Sequence, residues 1–250
     1  MELSVCIASV PDTASRLEIR EDGIDLSMAN FVMNPYDEYA VEEALRTRER
    51  FAGSTVTVFA LGGAACREAL RKALAMGADK AVLAVPSEDV RDSRQIAGLL
   101  SQALRCYYRN SLPELVFCGK ESTDFHSSLV PVMLGGMLGM AVVTAISGIE
   151  TGTGMLKADR EIEGGKERVT AFFPAVVSTE KGLNTPRKAS IKGVLAAKKA
   201  VIEELRIPVT VQPALLMSDY APASRTRRCR FFDQPHELVR VLHEEAGGIG

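Results

Sequence analysis

The chain has 250 residues, 46% of them hydrophobic and 25% charged, with a formal net charge of −2. That length carries one large α/β domain or two small ones, and the balance is ordinary for a globular protein. A charge this close to neutral gives no global pull toward nucleic acid or a membrane surface.

In chain order, the apolar, β-branched run 3–10, LSVCIASV, reads as a buried strand. Residues 11–30 are polar, with turn signals at Pro11-Asp12 and Asp22-Gly23. Asn34-Pro35 opens a helix over YDEYAVEEALRTRERF, with Tyr36, Ala40, Val41, Ala44 and Leu45 on one face. Its acids (Asp37, Glu38, Glu42, Glu43) come early and its arginines (Arg46, Arg48, Arg50) late, which complements the helix dipole. A second strand, STVTVFAL (54–61), runs into Gly62-Gly63 and the helix AACREALRKALAM, which Gly77 ends. KAVLAV (80–85) is a third strand, and Asp89 to Asn110 a helix with Ile96, Leu99, Leu100, Ala103 and Leu104 inward. ELVFCG is a fourth strand. Strands that alternate with helices predict an α/β fold, a doubly wound, mostly parallel sheet covered on both faces.

From Leu129 to Ile149 no residue is charged, a length that could span a bilayer. The stretch also holds Pro131, Gly135, Gly136, Gly139 and Gly148. It reads instead as a buried helix (128–138) and a strand (141–147) broken at Gly139, and no basic flank follows it. MLKADREIEGGKERVTAFFPAVVST reads as two strands joined at Glu163-Gly164-Gly165-Lys166, where glycine supplies the positive φ of a tight hairpin. Residues 180–200 are polar and basic. Beyond 206 the composition loses period and ends in a short helix, DQPHELVRVLHEE, with Asp233 as a candidate N-cap. The expected organisation is a core over 1–205 and an extended C-terminal arm over 206–250. Cys6, Cys66, Cys106, Cys118 and Cys229 are scattered without a CxxC pair, so neither a zinc site nor a disulfide framework is expected, and the odd count fits a reducing compartment. MELSVCIASV lacks the basic and long apolar regions of a secretory signal.

In an open parallel sheet ligands bind at the carboxyl ends of strands. Three loops lie there: after the first strand, after the second at Leu61-Gly62-Gly63, and after the fourth, Gly119 to Val130. The last is rich in hydroxyls, with Ser122, Thr123, Ser127 and Ser128, and it runs into the apolar helix. Exposed N–H groups at a helix start bind phosphate without a cation. Without this chemistry, the same loop is an ordinary N-capped connection. No GxxxxGK[ST] or GxGxxG pattern is present. His126 beside Ser127 and Ser128, with Asp124 nearby, does not make a catalytic pair, because adjacent residues rarely face each other and GxSxG is absent. Cys118 reads as core rather than nucleophile, and His236 and His243 as solvent-facing. No catalytic residue and no metal ligand is assigned.

Six blocks in order, NPYDEYAVEEALR (34–46), ALAMGADKAVL (73–83), GKESTD (119–124), REIEGGKERV (160–169), PAVVST (174–179) and GLNTPRKASIKGVLAAKK (182–199), resemble the beta subunit of electron-transfer flavoprotein. The resemblance covers nearly the whole chain and implies a Rossmann-like, adenine nucleotide alpha hydrolase-like core. It also implies an electron carrier rather than an enzyme with its own substrate. Such a subunit pairs with an alpha subunit that carries most of the FAD, takes electrons from dehydrogenases such as acyl-CoA dehydrogenases, and passes them to a quinone reductase or another acceptor. The beta subunit usually holds AMP; in a bifurcating branch using NADH, a second FAD takes that place.

Carried over by resemblance, the nucleotide site falls on Cys6, on Asn34, Pro35, Tyr36 and Asp37, on Leu61, and on Gly119, Lys120, Glu121, Ser122, Thr123, Asp124, Phe125, His126, Ser127, Ser128, Leu129 and Val130. Thr13 falls near the flavin. A dehydrogenase-docking loop falls on 187–196, with Arg187, Lys188 and Lys192 around an apolar anchor, Ile191. The chain departs from the family at Glu121, Phe125, His126 and Leu129, where polar residues are usual, at Ala8-Ser9, where a basic pair is usual, and at Ala196, where lysine is usual. AMP is favoured over a second FAD, since 121–129 lacks the polar residues of the bifurcating branch. A stand-alone adenine-nucleotide-binding module is the remaining alternative. The expected location is cytoplasmic or matrix-like, without membrane insertion.

Overall fold

The apolar run after Met1 pairs as a strand, Glu2–Ile7 (β1), but it stops at Ala8, and Ser9–Pro11 (β2) leaves for a separate two-stranded sheet with Phe31–Met33 (β5). A computed structural model describes residues 1–20, 23–90, 92–221 and 229–246. The polar segment 11–30 is therefore not all loop. It contains Glu18–Arg20 (β3) and Gly23–Asp25 (β4), an antiparallel pair; Asp22 of the expected Asp22-Gly23 turn lies outside the described residues.

The alternation then follows the sequence reading: Pro35–Arg50 (α1), Thr55–Leu61 (β6), Cys66–Met76 (α2), Lys80–Pro86 (β7), Ser93–Tyr107 (α3), Leu115–Gly119 (β8). The third helix is shorter than its apolar pattern. Asp92 caps it, its Oδ1 accepting from the N–H of Arg94 and Gln95 at 3.0 Å each, so the helix starts at Ser93. The uncharged stretch divides as expected into Val130–Leu138 (α4) and Ala141–Thr151 (β9), and Gly139 between them adopts the left-handed φ of 71°. Among the described residues no helix is long and apolar enough to cross a membrane.

Beyond β9 the two expected strands are three: Met155–Ile162 (β10), Gly165–Phe172 (β11) and Ala175–Thr179 (β12). Periodicity could not show that Pro174 separates a hairpin arm from a central strand. The basic segment carries a helix, Ile191–Lys199 (α5), where a loop is expected, because Ser190 caps it by accepting from Gly193 N–H at 3.0 Å. Ile202–Ile207 (β13) is a further strand that crosses the expected core boundary at 205. The last helix, Pro235–Ala246 (α6), starts two residues after Asp233, which is therefore not adjacent to it as a cap.

Nine strands form one sheet in the order β11-β10-β9-β12-β8-β1-β6-β7-β13. From β9 through β12, β8, β1, β6 and β7 to β13 every pairing is parallel; β9, β10 and β11 are joined antiparallel. Helices α1 and α2 bury their apolar stripes, including Leu45 and Leu70, against one face, and α3 and α4 bury Leu104 and Leu134 against the other. Each such fully buried leucine contributes roughly 1.5–3 kcal/mol. Because β6 and β8 flank β1 on opposite sides, the winding reverses at β1, and the carboxyl ends of β1, β6, β7 and β8 open on one edge.

Candidate functional site

That edge holds a cavity of about 430 Å³, in the range of small-molecule sites. Its floor is the paired strand ends of β1 and β8, where Cys6 and Cys118 stand in register. The Cys118 thiol is held well above the ordinary thiol range by its hydrogen bond with Cys6 and by burial, so it serves as packing rather than as a nucleophile. One wall is the start of α1. The Asp37 carboxylate is buried there and accepts from Ala8 N–H at 2.6 Å and Gly119 N–H at 3.0 Å, tying the ends of β1 and β8 together. Burial pushes its pKa up to about 7 against the pull of those two bonds. Asn34, 1% exposed, donates from Nδ2 to the Glu121 carbonyl at 2.9 Å, while its Oδ1 has no hydrogen-bond partner among the described residues.

The opposite wall is the loop after β8. Ser128 donates to Glu121 at 2.8 Å, and Lys120 pairs with Glu180 at 2.8 Å. Burial alone would raise the Glu121 pKa, but hydrogen bonds from Ser128 and His126 outweigh it and hold the carboxylate below its ordinary value. His126 and Ser128 have φ of 50° and 54°, the kind of backbone from which anion-binding nests are made. The N–H groups of Ser127, Ser128, Leu129 and Val130 donate to no acceptor among the described residues. The helix behind them begins at Val130 rather than at the serines, with Leu129 at the cap position and no side-chain cap.

The three sequence-nominated loops thus converge on one cavity. Cys6, Asn34, Asp37, Leu61 and, from the loop after β8, Gly119 to Ser122, Asp124, Phe125, Ser127, Ser128 and Val130 line it. Pro35, Tyr36, Thr123, His126 and Leu129 do not. Tyr36 packs behind Gly119 instead, its carbonyl accepting from Thr179 at 3.1 Å, and His126 and Leu129 face solvent. Thr13 is exposed at a turn in which Asp12 accepts from Ala14 N–H. Sequence reasoning missed the end of β7, where Val85, Pro86, Glu88, Asp89 and Val90 line the cavity, and Ile96 and Leu100 of α3. The rule that nominated the other strand ends applies equally to β7, and KAVLAV followed by Pro86 was the available signal.

The lining is acidic: Glu88, Glu121 and Asp124 line it beside Asp37, whose pKa is about 7, and the one described cation of the lining, Lys120, is already paired. An anionic group here would rest on backbone N–H groups rather than on side-chain charge. Among the described residues no cluster of three or more His, Cys, Asp or Glu could hold a metal ion.

The residues expected from the resemblance to form a docking loop lie on another part of the surface. Ile191 is 84% exposed, with Lys188 and Lys192 exposed beside it. Arg187 is engaged elsewhere: its Nε donates to Glu42 at 2.8 Å and its Nη1 to Glu49 at 2.6 Å.

The electron transfer flavoprotein domain family matches residues 24–210, most of the chain and all of the strands that build the cavity except β1. The chain belongs to the electron transfer flavoprotein beta-subunit family. It is 34% identical to the electron transfer flavoprotein subunit beta of Bacillus subtilis, over 98% of this chain and 99% of that protein. Identity to the Bradyrhizobium diazoefficiens subunit beta is also 34%, over 99% of each chain. The mitochondrial subunit beta of Oryza sativa subsp. japonica is 34% identical, over 98% of this chain and 99% of its own. The family's blocks acquire physical roles here. REIEGG ends β10 and makes the Glu163-Gly164 turn into β11, and LNTPR supplies two anchors to α1: Asn184, which donates to the Tyr39 carbonyl at 3.0 Å, and Arg187.

Proposed function

We propose that this chain is the beta subunit of an electron-carrying flavoprotein heterodimer and that its cavity holds AMP. The observation that carries the reading is the coincidence of a near-full-length family match with a cavity at the strand ends where an adenine nucleotide would lie. The residues fit the group. The buried, unpartnered Oδ1 of Asn34 needs a donor, which a ribose hydroxyl or adenine amine supplies. The free N–H groups from Ser127 to Val130 suit one phosphate, and the acidic lining disfavours a more highly charged one.

FAD, bound chiefly by the alpha subunit, supplies the electron-carrying chemistry. The beta chain contributes around it: the turn at Thr13 lies on the flavin side, the cavity residues hold AMP, and the face of 187–196 meets a dehydrogenase such as an acyl-CoA dehydrogenase. Ile191 is the apolar anchor of that contact, and Lys188 and Lys192 steer it. The arm after 206 divides. Its first part lies on this chain's own core, with Gln95 donating to the Val211 carbonyl at 2.9 Å and Asp92 accepting from Leu215 N–H at 3.1 Å. Beyond it, Leu216 at 83% and Phe231 at 93% exposure, with the apolar positions of α6, give the alpha subunit its surface. The complex works in a reducing cytoplasmic or matrix compartment, without nucleic acid or membrane insertion.

Co-expression with the alpha subunit followed by denaturation and cofactor counting tests this. One FAD and one AMP per heterodimer are expected. Two FAD and no AMP would replace the AMP assignment with the bifurcating one, and a stable monomer that binds ATP would sink the heterodimer reading.

A further inference from the structure

The segment that leads into α5 is fixed to α1 by a dense set of bonds. The Arg187 guanidinium reaches both Glu42 oxygens, Nε at 2.8 Å and Nη2 at 3.2 Å, and its backbone N–H adds a third bond to Glu42 at 3.1 Å. Glu42 is 3% exposed and also holds Arg46 at 2.8 Å. Three residues earlier, Asn184 Nδ2 reaches the Tyr39 carbonyl and Glu43 at 3.1 Å. A buried carboxylate tolerates its desolvation only with such full pairing.

The helix itself is seated on α2. A Cβ on Gly193 would lie 2.5 Å from the Ala75 carbonyl oxygen, so the two backbones meet there without room for a side chain. Arg71 donates to the terminal carbonyls of Ala197 and Ala200. A nine-residue helix is not stable alone in water. Here it is held at its entry, its middle and its end, while Ile191 and Leu195, 84% and 57% exposed, point away from the core.

We propose that Arg187 and Glu42 are positioning residues for electron transfer: their ion pair fixes the entry to α5 and so presents the Ile191–Leu195 face to the dehydrogenase already ordered. This rests on the docking reading above. Pre-ordering removes the entropy that a free loop would lose on each encounter, which matters for a contact remade at every transfer. It also explains why an arginine is used. A lysine matches the charge but not the two-pronged geometry.

The test uses the purified heterodimer with an acyl-CoA dehydrogenase as electron donor. Arg187→Ala, Arg187→Lys and Glu42→Gln are compared with the unaltered complex for backbone hydrogen exchange over 188–199 and for steady-state flavin reduction. Exchange is expected to rise across α5 in R187A and E42Q. The KM for the dehydrogenase is expected to rise about tenfold, with the effect on KM rather than kcat and with FAD and AMP content unchanged. R187K should fall between. Unchanged exchange across α5 in both R187A and E42Q overturns the proposal. Faster exchange with an unchanged KM removes the docking reading beneath it, and the proposal with it. If R187A does not assemble, E42Q, which keeps the volume and removes one charge, carries both readouts.

Discussion

Asp37 shows how much one side chain does here. Its carboxylate ties the ends of two neighbouring strands at the floor of the cavity, and burial raises its pKa from 3.8 to about 7. A folded-state pKa above the unfolded one means that the native chain holds the proton more tightly. The associated stability is complete below about pH 3.8 and is lost as pH rises through 7. Relative to an Asp37→Asn variant, the wild type should therefore lose on the order of a few kcal/mol of unfolding free energy between pH 4 and 8, read by urea titration at both ends. A flat difference across that window would mean that Asp37 is ionised throughout. The sequence nominated Asp37 only as a nucleotide contact carried over from a family; that it bridges Ala8 and Gly119 depends on β1 and β8 being neighbours, which no local pattern encodes.

Among the elements, α4 carries the clearest packing constraint. A Cβ on Gly135 would lie 2.1 Å from Val142 Cγ2, so the helix rests directly on β9 through that glycine. Gly135→Ala should destabilise the chain by about 1–3 kcal/mol. Adding Val142→Ala should recover part of that loss in thermal unfolding; no recovery would place the clash elsewhere. The arm is seated similarly. A Cβ on Gly98 of α3 would meet Val211 at 2.7 Å, so Gly98→Ala should loosen 209–215, seen as faster proteolysis there, without altering the sheet. Helices and strands with a strong period were legible from the sequence. The strands β3, β4 and β13 were not, because runs of only three to six residues without a clear apolar period become strands only when a partner edge is present.

For the whole molecule, whatever binds the folded chain and not the unfolded one stabilises it by mass action. If AMP fills the cavity, free AMP at about 100 times its Kd should stabilise the chain by roughly 2.7 kcal/mol, and Asn34→Ala should shrink that gain; differential scanning fluorimetry across an AMP series measures it. Docking that depends on Lys188 and Lys192 should weaken with salt. The KM for the dehydrogenase should rise between 50 and 300 mM NaCl, and it should rise less in a Lys188→Ala, Lys192→Ala double variant. A salt-independent KM would leave Ile191 as the whole of the contact.

The order of apolar runs, turn glycines and capping residues determined a doubly wound sheet and the division of the uncharged 129–149 stretch into helix and strand, because these depend on period and on the φ that each residue permits. Six motif blocks determined the family. Tertiary structure alone decided the rest. It added the end of β7 to the cavity, turned Phe125-His126-Ser127-Ser128 into a loop of alternating backbone hand, and made the expected docking loop a seated helix. Arg187 marks the difference most plainly. Its charge was visible in the sequence, but whether it faces a partner or Glu42 depends on where α1 lies, 145 positions earlier in the chain, and that distance is closed only by folding.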